Sequence, residues 1–256
     1  MAENPFKYSI GTRVRDKVFV DFLAPHPGDK MLDVGCGLGY FIELLNRHGA
    51  RCTGIDIDDL CLSYCRAHIM GEYAKVDLTK PPYPFAGDSF DKAICSEVLE
   101  HIKDNDLILG ELRRVMKPGG VLVVSTPCPD GVFGTFWKRI GHNSVNANSY
   151  EYHHHVGYEA DALGDLLAAS GFKCTDIYYT MVLGVEVIMG ITKVLIRWLQ
   201  LKKIDSQANA LNVDGMTAWR IYKKLFGGLL LYAKMEQPLS RVFKGHMIIM
   251  RGVLDK

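Results

Sequence analysis

The chain has little of what marks a secreted, membrane-spanning or nucleic-acid-coating protein. No run of 18 residues is free of charged side chains, so no segment offers an uninterrupted apolar span. The opening stretch MAENPFKYSIGTRVRDK lacks the apolar core of a secretory leader. Seven cysteines (Cys36, Cys52, Cys61, Cys65, Cys95, Cys128, Cys174) are scattered without a Cys-x-x-Cys pair. An odd, unpatterned set argues for reduced thiols and a cytoplasmic setting, and against a disulfide framework. The net charge is +1, from 30 Lys+Arg against 29 Asp+Glu. That balance supplies no global field, so nucleic acid is not expected as a partner. Repeats and low-complexity stretches are missing, apart from the tract His153-His154-His155.

What is present is an ordinary globular composition. Of 256 residues, 48% are apolar and 23% charged, enough for a sizeable core. From Lys30 onward, short apolar runs alternate with helical patterns, the signature of βαβ units on a parallel sheet. The pattern predicts strands over 31–34, 52–55, 73–76, 92–95 and 121–124, with helices between them. A further helix over 160–169 precedes strands over 173–179 and 246–253. Residues 128–157 read as a long loop. Residues 181–243 carry two long amphipathic patterns and read as a helical insertion. The organisation is a single domain over 1–256, with an N-terminal helix and cap at 1–29 and a helical lid at 181–243.

The chemistry concentrates in the first half. Leu32-Asp33-Val34-Gly35-Cys36-Gly37-Leu38-Gly39-Tyr40 joins the first strand to the first sheet-packed helix. Glycines there let a ligand approach the backbone, and the helix start supplies free N–H groups. A dinucleotide fingerprint needs glycine one place after Gly39, where Tyr40 stands. Asp33 hangs over the bend, where a carboxylate repels a pyrophosphate and attracts a cationic amino-acid or sulfonium group. Both observations oppose a nicotinamide dehydrogenase. Asp56 ends the second strand, 21 residues after Gly35, placed to accept the two hydroxyls of a ribose. Asp77 ends the third, placed to accept from an adenine amino group. Taken singly, Asp56 reads as a strand-end cap and Asp77 as a turn-initiating residue. The signal is their coincidence at consecutive strand ends, where open α/β sheets bind ligands.

Five pieces occur in order: LDVGCGLG at 32–39, GIDID at 54–58, VDL at 76–78, FDKAICSEVLEH at 90–101 and LRRVMKPGGVLVVSTP at 112–127. Together they resemble the core of a class I S-adenosylmethionine-dependent methyltransferase of type 11, the broad group that includes ubiquinone-pathway O-methyltransferases. The resemblance implies an α/β fold: a doubly wound, Rossmann-like, seven-stranded, mostly parallel sheet, here with the helical insertion before the last strand. It implies S-adenosyl-L-methionine as cofactor and a methyl-transfer enzyme. By the same likeness, Asp33, Gly35, Cys36, Gly37 and Gly39 lie under the methionine part, and Asp56 holds the ribose. Asp77 and Leu78 meet the adenine, Ile57 packs on its face, and Cys95 and Ser96 line the sulfonium end by backbone. Tyr8 and Arg13 are the N-terminal candidates to close over the methionine end. The match covers about half the chain well, extends loosely to 157–180 and fails over 181–243.

The acceptor is expected to be a small molecule, apolar or amphipathic, with O-methylation slightly favoured. The rival reading is a catalytically silent methyltransferase-like domain that binds cofactor or a partner. His101 and His155 are the candidate catalytic bases, since imidazole titrates in the useful range. Glu97, Glu100 and His101, spaced i, i+3, i+4, would share one helical face and either hold a divalent cation or form a solvated helix start; no metal is assigned. Pro81-Pro82-Tyr83 imitates an amino-methylation motif but precedes the fourth strand, with Lys80 in place of an amide or acid. Cys61 and Cys65, one helical turn apart, read as packing residues. The segment 181–237 has eight basic and four acidic residues. It is read as a lid, as a basic surface for peripheral membrane contact, or as packing on the sheet or on a second copy, in a monomer or homodimer.

Overall fold

The computed structural model describes residues 4–129, 154–180, 184–185, 187 and 217–255. Residues 130–153 of the loop predicted over 128–157, with His153, and most of the first amphipathic pattern of the insertion fall outside them. A 3-10 turn at Pro5–Tyr8 leads into α1 (Ile10–Arg13) and α2 (Asp16–Leu23). Ser9 caps α1 by accepting from the Thr12 N–H. The βα alternation follows: β1 (Lys30–Val34), α3 (Tyr40–Asn46), β2 (Arg51–Asp56), α4 (Asp59–His68), β3 (Glu72–Lys75) and β4 (Phe90–Ser96). After a 3-10 turn at Leu99–His101 come α5 (Asn105–Val115), β5 (Met116–Pro127), α6 (Ala160–Ala169), β6 (Phe172–Thr180), α7 (Thr217–Glu236) and β7 (Met247–Leu254).

The sheet has seven strands in the order β3-β2-β1-β4-β5-β7-β6, with β7 antiparallel to both neighbours. The parallel strands are apolar runs because both faces are covered. Alternate side chains divide between two cores. Leu32, Val34, Ala93, Cys95, Leu122 and Val124 face α5 and α6. Met31, Cys52, Ile94, Val121 and Val123 face α2, α3 and α4. The chain winds from β1 outward through β2 and β3, then returns to place β4 on the other side of β1. That reversal opens a crevice above the carboxyl ends of β1 and β4.

A third cluster joins the N-terminal cap to the insertion: Ile10 and Val14 pack with Val185, Phe226, Ala233 and Met247. The Glu236 carboxylate, at the end of α7, accepts from the N–H groups of Gly184 (2.7 Å) and Val185 (2.9 Å). All seven cysteines are free thiols, Cys61 and Cys65 among the buried ones. Tyr83, from the imitated motif, is a core residue whose hydroxyl donates to the Leu78 carbonyl. Among the described residues no helix is long and apolar enough to cross a membrane.

Candidate active site

A cleft of about 190 Å³ lies at the reversal point. Asp33, Gly35, Cys36 and Leu38 form one wall from the β1 end, and Ser96 and Glu97 another from the β4 end. The N-terminal cap contributes Phe6, Ser9, Thr12 and Arg15, and α3 contributes Tyr40. The cap is tied down over the glycine loop. The Asn4 amide donates to the Leu38 carbonyl (2.9 Å), and Lys7 pairs with Glu43 of α3 (2.9 Å). Tyr40 donates its hydroxyl to Asp16 (2.8 Å).

Gly35 and Gly39 both have φ +69°, the left-handed region that favours glycine. A Cβ on Gly35 would meet Val98 Cγ2 at 2.5 Å, and one on Gly39 would meet Ile69 Cδ1 at 2.9 Å. The loop therefore needs glycine for its own packing as well as for close approach of a ligand.

Asp33 is 4% exposed, and its Oδ2 has no hydrogen-bond partner. Burial, and then the charge of Asp56, push its carboxyl up to about 8. An orphaned acid at a cleft wall is costly unless a cation or donor arrives to satisfy it. Asp56 is held in place by the loop it serves: Oδ2 accepts from Gly37 N (2.8 Å) and Oδ1 from Asp58 N (2.9 Å). Burial raises its carboxyl, and those N–H groups oppose the rise. Ionised, each oxygen keeps a lone pair for a further donor. Ile57 follows it, half-buried.

The remaining sequence candidates are distributed more widely. Asp77 accepts from Thr79 N (3.1 Å), Thr79 Oγ1 (2.7 Å) and Lys80 Nζ (2.7 Å). Those partners hold its carboxyl down at about 2, so it is also the initiator of its own turn. Leu78 beside it is buried. Ser96 lines the cleft, whereas the Cys95 thiol is buried in the core on the α5 side. Tyr8 lies edge-on to Phe226 of α7, and its carbonyl accepts from Tyr222 (2.9 Å). Arg13 lies 3.3 Å from Asp16. Neither lines the cleft.

The arginine that does is Arg15, 5% exposed. It donates to the Gly11 carbonyl (2.9 Å), Ser125 Oγ (3.1 Å) and Ser96 Oγ (3.3 Å), and pairs with Glu97. Arg15, Ser9, Thr12 and Phe6 escaped the sequence reading because α1 ends at Arg13 and the chain turns before α2. The available signal was Ser9-x-x-Thr12, which marks the cap's helix start.

Glu97, Glu100 and His101 do not share a helical face, contrary to the spacing argument. Glu97 has φ +55° and precedes a 3-10 turn, so the three side chains diverge. Glu97 meets Arg15, while Glu100 is 1% exposed and accepts from Thr126 Oγ1 (3.2 Å). Burial raises the Glu100 carboxyl to about 8. Among the described residues no group of three or more His, Cys, Asp or Glu side chains is arranged to hold a metal ion. The fold brings the two candidate histidines close along the chain path: His155 N donates to the Glu100 carbonyl (3.1 Å), next to His101. The His155 ring lies 3.3 Å from the Lys103 carbonyl, and His101 is half-buried. Neither imidazole lines the cleft.

Residues 32–124, which supply β1 to β5 and most of this site, match the family described as "Methyltransferase domain". Over that segment the chain is similar to methyltransferase domains. The ubiquinone biosynthesis O-methyltransferase of Hahella chejuensis is 38% identical over 112 residues, covering 42% of this chain and 47% of that protein. The phosphoethanolamine N-methyltransferase of Triticum aestivum is 31% identical over 156 residues, covering 56% of this chain and 30% of that protein. The chain thus spans about half the length, or less, of the curated relatives it matches. In fold it is similar to Haemonchus contortus phosphoethanolamine N-methyltransferase 2, solved in complex with S-adenosyl-L-methionine. That likeness has a TM-score of 0.60 at 17% identity, over 94% of this chain and 52% of the other.

Proposed function

We propose that this chain binds S-adenosyl-L-methionine and transfers its methyl group to a small apolar or amphipathic acceptor, a hydroxyl slightly favoured. The observation that carries the reading is the unpartnered Asp33 oxygen, buried at the cleft wall beside a glycine loop. A cationic amino-acid end is the ligand chemistry such a carboxylate takes. Asp33, Gly35, Cys36, Gly37 and Gly39 would hold that end, Asp56 the ribose, and Ile57, Asp77 and Leu78 the adenine. The cofactor supplies a methyl group already activated on a sulfonium. What is left to the protein is alignment of the acceptor and exclusion of water.

The cap, pinned through Asn4, Lys7 and Arg15, covers the cleft, and α7 packs on the outer side of that cap. This placement supports the reading of 181–243 as a lid that walls the acceptor side. His101 or His155 would take the proton of a hydroxyl acceptor.

The test is calorimetric. Asp56→Ala removes the ribose acceptor, a charge-assisted interaction worth about 1.5–3 kcal/mol, so affinity for S-adenosyl-L-methionine should fall at least tenfold. Unchanged affinity removes the ribose role, and no binding by the parent chain removes the cofactor. Incubation with a small-molecule extract and methyl-labelled cofactor tests transfer; an absence of labelled product would favour a silent domain.

A further inference from the structure

The lower half of the insertion has a face that the site does not use. Seven of the twelve exposed large apolar side chains among the described residues lie between 217 and 245. They are concentrated in one stretch of the chain. On α7 the inward arc holds Phe226 and Ala233, buried, with Tyr222 and Leu229 half-buried against the cap. At 100° per residue the opposite arc presents Leu231 and Met235, the latter 72% exposed, while Leu225 and Tyr232 are exposed on the flank. The 3-10 turn after α7 continues the patch with Leu239, Val242 (77% exposed) and Phe243.

Basic residues are set among these: Arg220, Lys224 and Lys234 are exposed on α7, and Arg241 and Lys244 beyond it. The acid of this stretch, Glu236, is buried and bound to the N–H groups of Gly184 and Val185. The exposed face is therefore apolar and cationic. Basic stems can lie along apolar surface and keep their charges at a headgroup level. A second copy of the same cationic face would repel it in a two-fold pairing. Charge complementarity selects an anionic lipid surface.

We propose that the exposed face of α7 and the turn at Gln237–Arg241, extended to Lys244, docks on anionic bilayers. The docking does not depend on the acceptor or on methyl transfer. It is tested with the full chain by sedimentation with phosphatidylcholine vesicles, with and without phosphatidylglycerol, at low and high salt.

The parent chain should sediment with phosphatidylglycerol vesicles and be released by salt. Each basic residue at a headgroup surface contributes about fivefold to partition, so Lys224→Gln with Arg241→Gln should weaken it roughly thirtyfold. Met235→Asp with Val242→Asp should abolish it. Both variants change exposed side chains, and unaltered thermal unfolding would show that they fold. Sedimentation that ignores phosphatidylglycerol, or that survives both variants, overturns the proposal. So does a chain that fails to sediment but forms a dimer that Met235→Asp dissociates, which would assign the face to a second copy.

Discussion

Replacing Asp33 with asparagine should make the free protein more stable at neutral pH while removing its affinity for a cationic ligand. The unfolded chain releases the Asp33 proton near 3.8, whereas the folded chain holds it until about 8. Between those values the folded state binds the extra proton, so the unfolding free energy falls by about 1.4 kcal/mol for each unit of rising pH. At pH 7 the accumulated penalty is about 4 kcal/mol. Asparagine carries no charge and escapes it, but its amide inherits the partnerless position at a cost of about 1–3 kcal/mol. The variant should therefore gain about 1–3 kcal/mol at pH 7. The gain should shrink or reverse near pH 5 and level off above about 8. Glu100, raised in the same direction, is common to both proteins and cancels in the comparison. Urea unfolding of parent and Asp33→Asn at pH 5 and pH 8 measures the difference, which should change by about 4 kcal/mol. A difference that stays constant across that range refutes the buried-acid argument. Added S-adenosyl-L-methionine, at free concentration L, should stabilise the parent by RT ln(1 + L/Kd), rising with the logarithm of L above Kd, and leave the variant nearly unmoved.

Three other outcomes are expected. Arg15→Ala strips the cap of its bonds to Ser96, Ser125 and Glu97 and should cost about 2–3 kcal/mol of stability by thermal or urea unfolding; a loss below about 0.5 kcal/mol would show that the cap is held elsewhere. Gly35→Ala combines a positive φ with the Val98 contact and should cost about 2–4 kcal/mol; Val98→Ala in the same chain should recover the packing share but not the backbone share. His101→Gln or His155→Gln should depress methyl transfer more than cofactor affinity in at least one case. If both keep parental turnover from acid to alkaline pH, neither is the base.

The parallel half of the fold was legible because it is written in local patterns. Residues 31–34 form a strand buried on both faces, and the glycines that follow open a bend that other residues would obstruct. The predicted third strand, 73–76, is displaced by one residue to Glu72–Lys75, within the ordinary play of an edge strand. What the sequence hid depends on contacts distant along the chain. Arg15 and Arg13 look equivalent as letters, and only the turn between α1 and α2 sends one toward Ser96, 81 residues away. The helical spacing of Glu97, Glu100 and His101 was overridden by a left-handed backbone at Glu97, whose N–H is drawn to the Ser125 carbonyl of β5.

The grip of Glu236 on Gly184 and Val185 makes the chain leave the sheet domain and return to it at one place. Between those residues α7 is held a second time, by Tyr222, Phe226 and Ala233 against the cap, so the segment is clasped at its ends and along one helix face. Lengthening a closed loop costs only about 0.6 kcal/mol per doubling, so the length between Val185 and Glu236 can change with little strain on β6 or β7 where that helix face is kept. Exchange experiments should cut inside the junction and keep Gly184, Val185 and Glu236, together with the Tyr222, Phe226 and Ala233 face of α7. A graft that respects those contacts would swap acceptor preference or surface affinity on an unaltered cofactor site, and natural divergence has the same seam available to it.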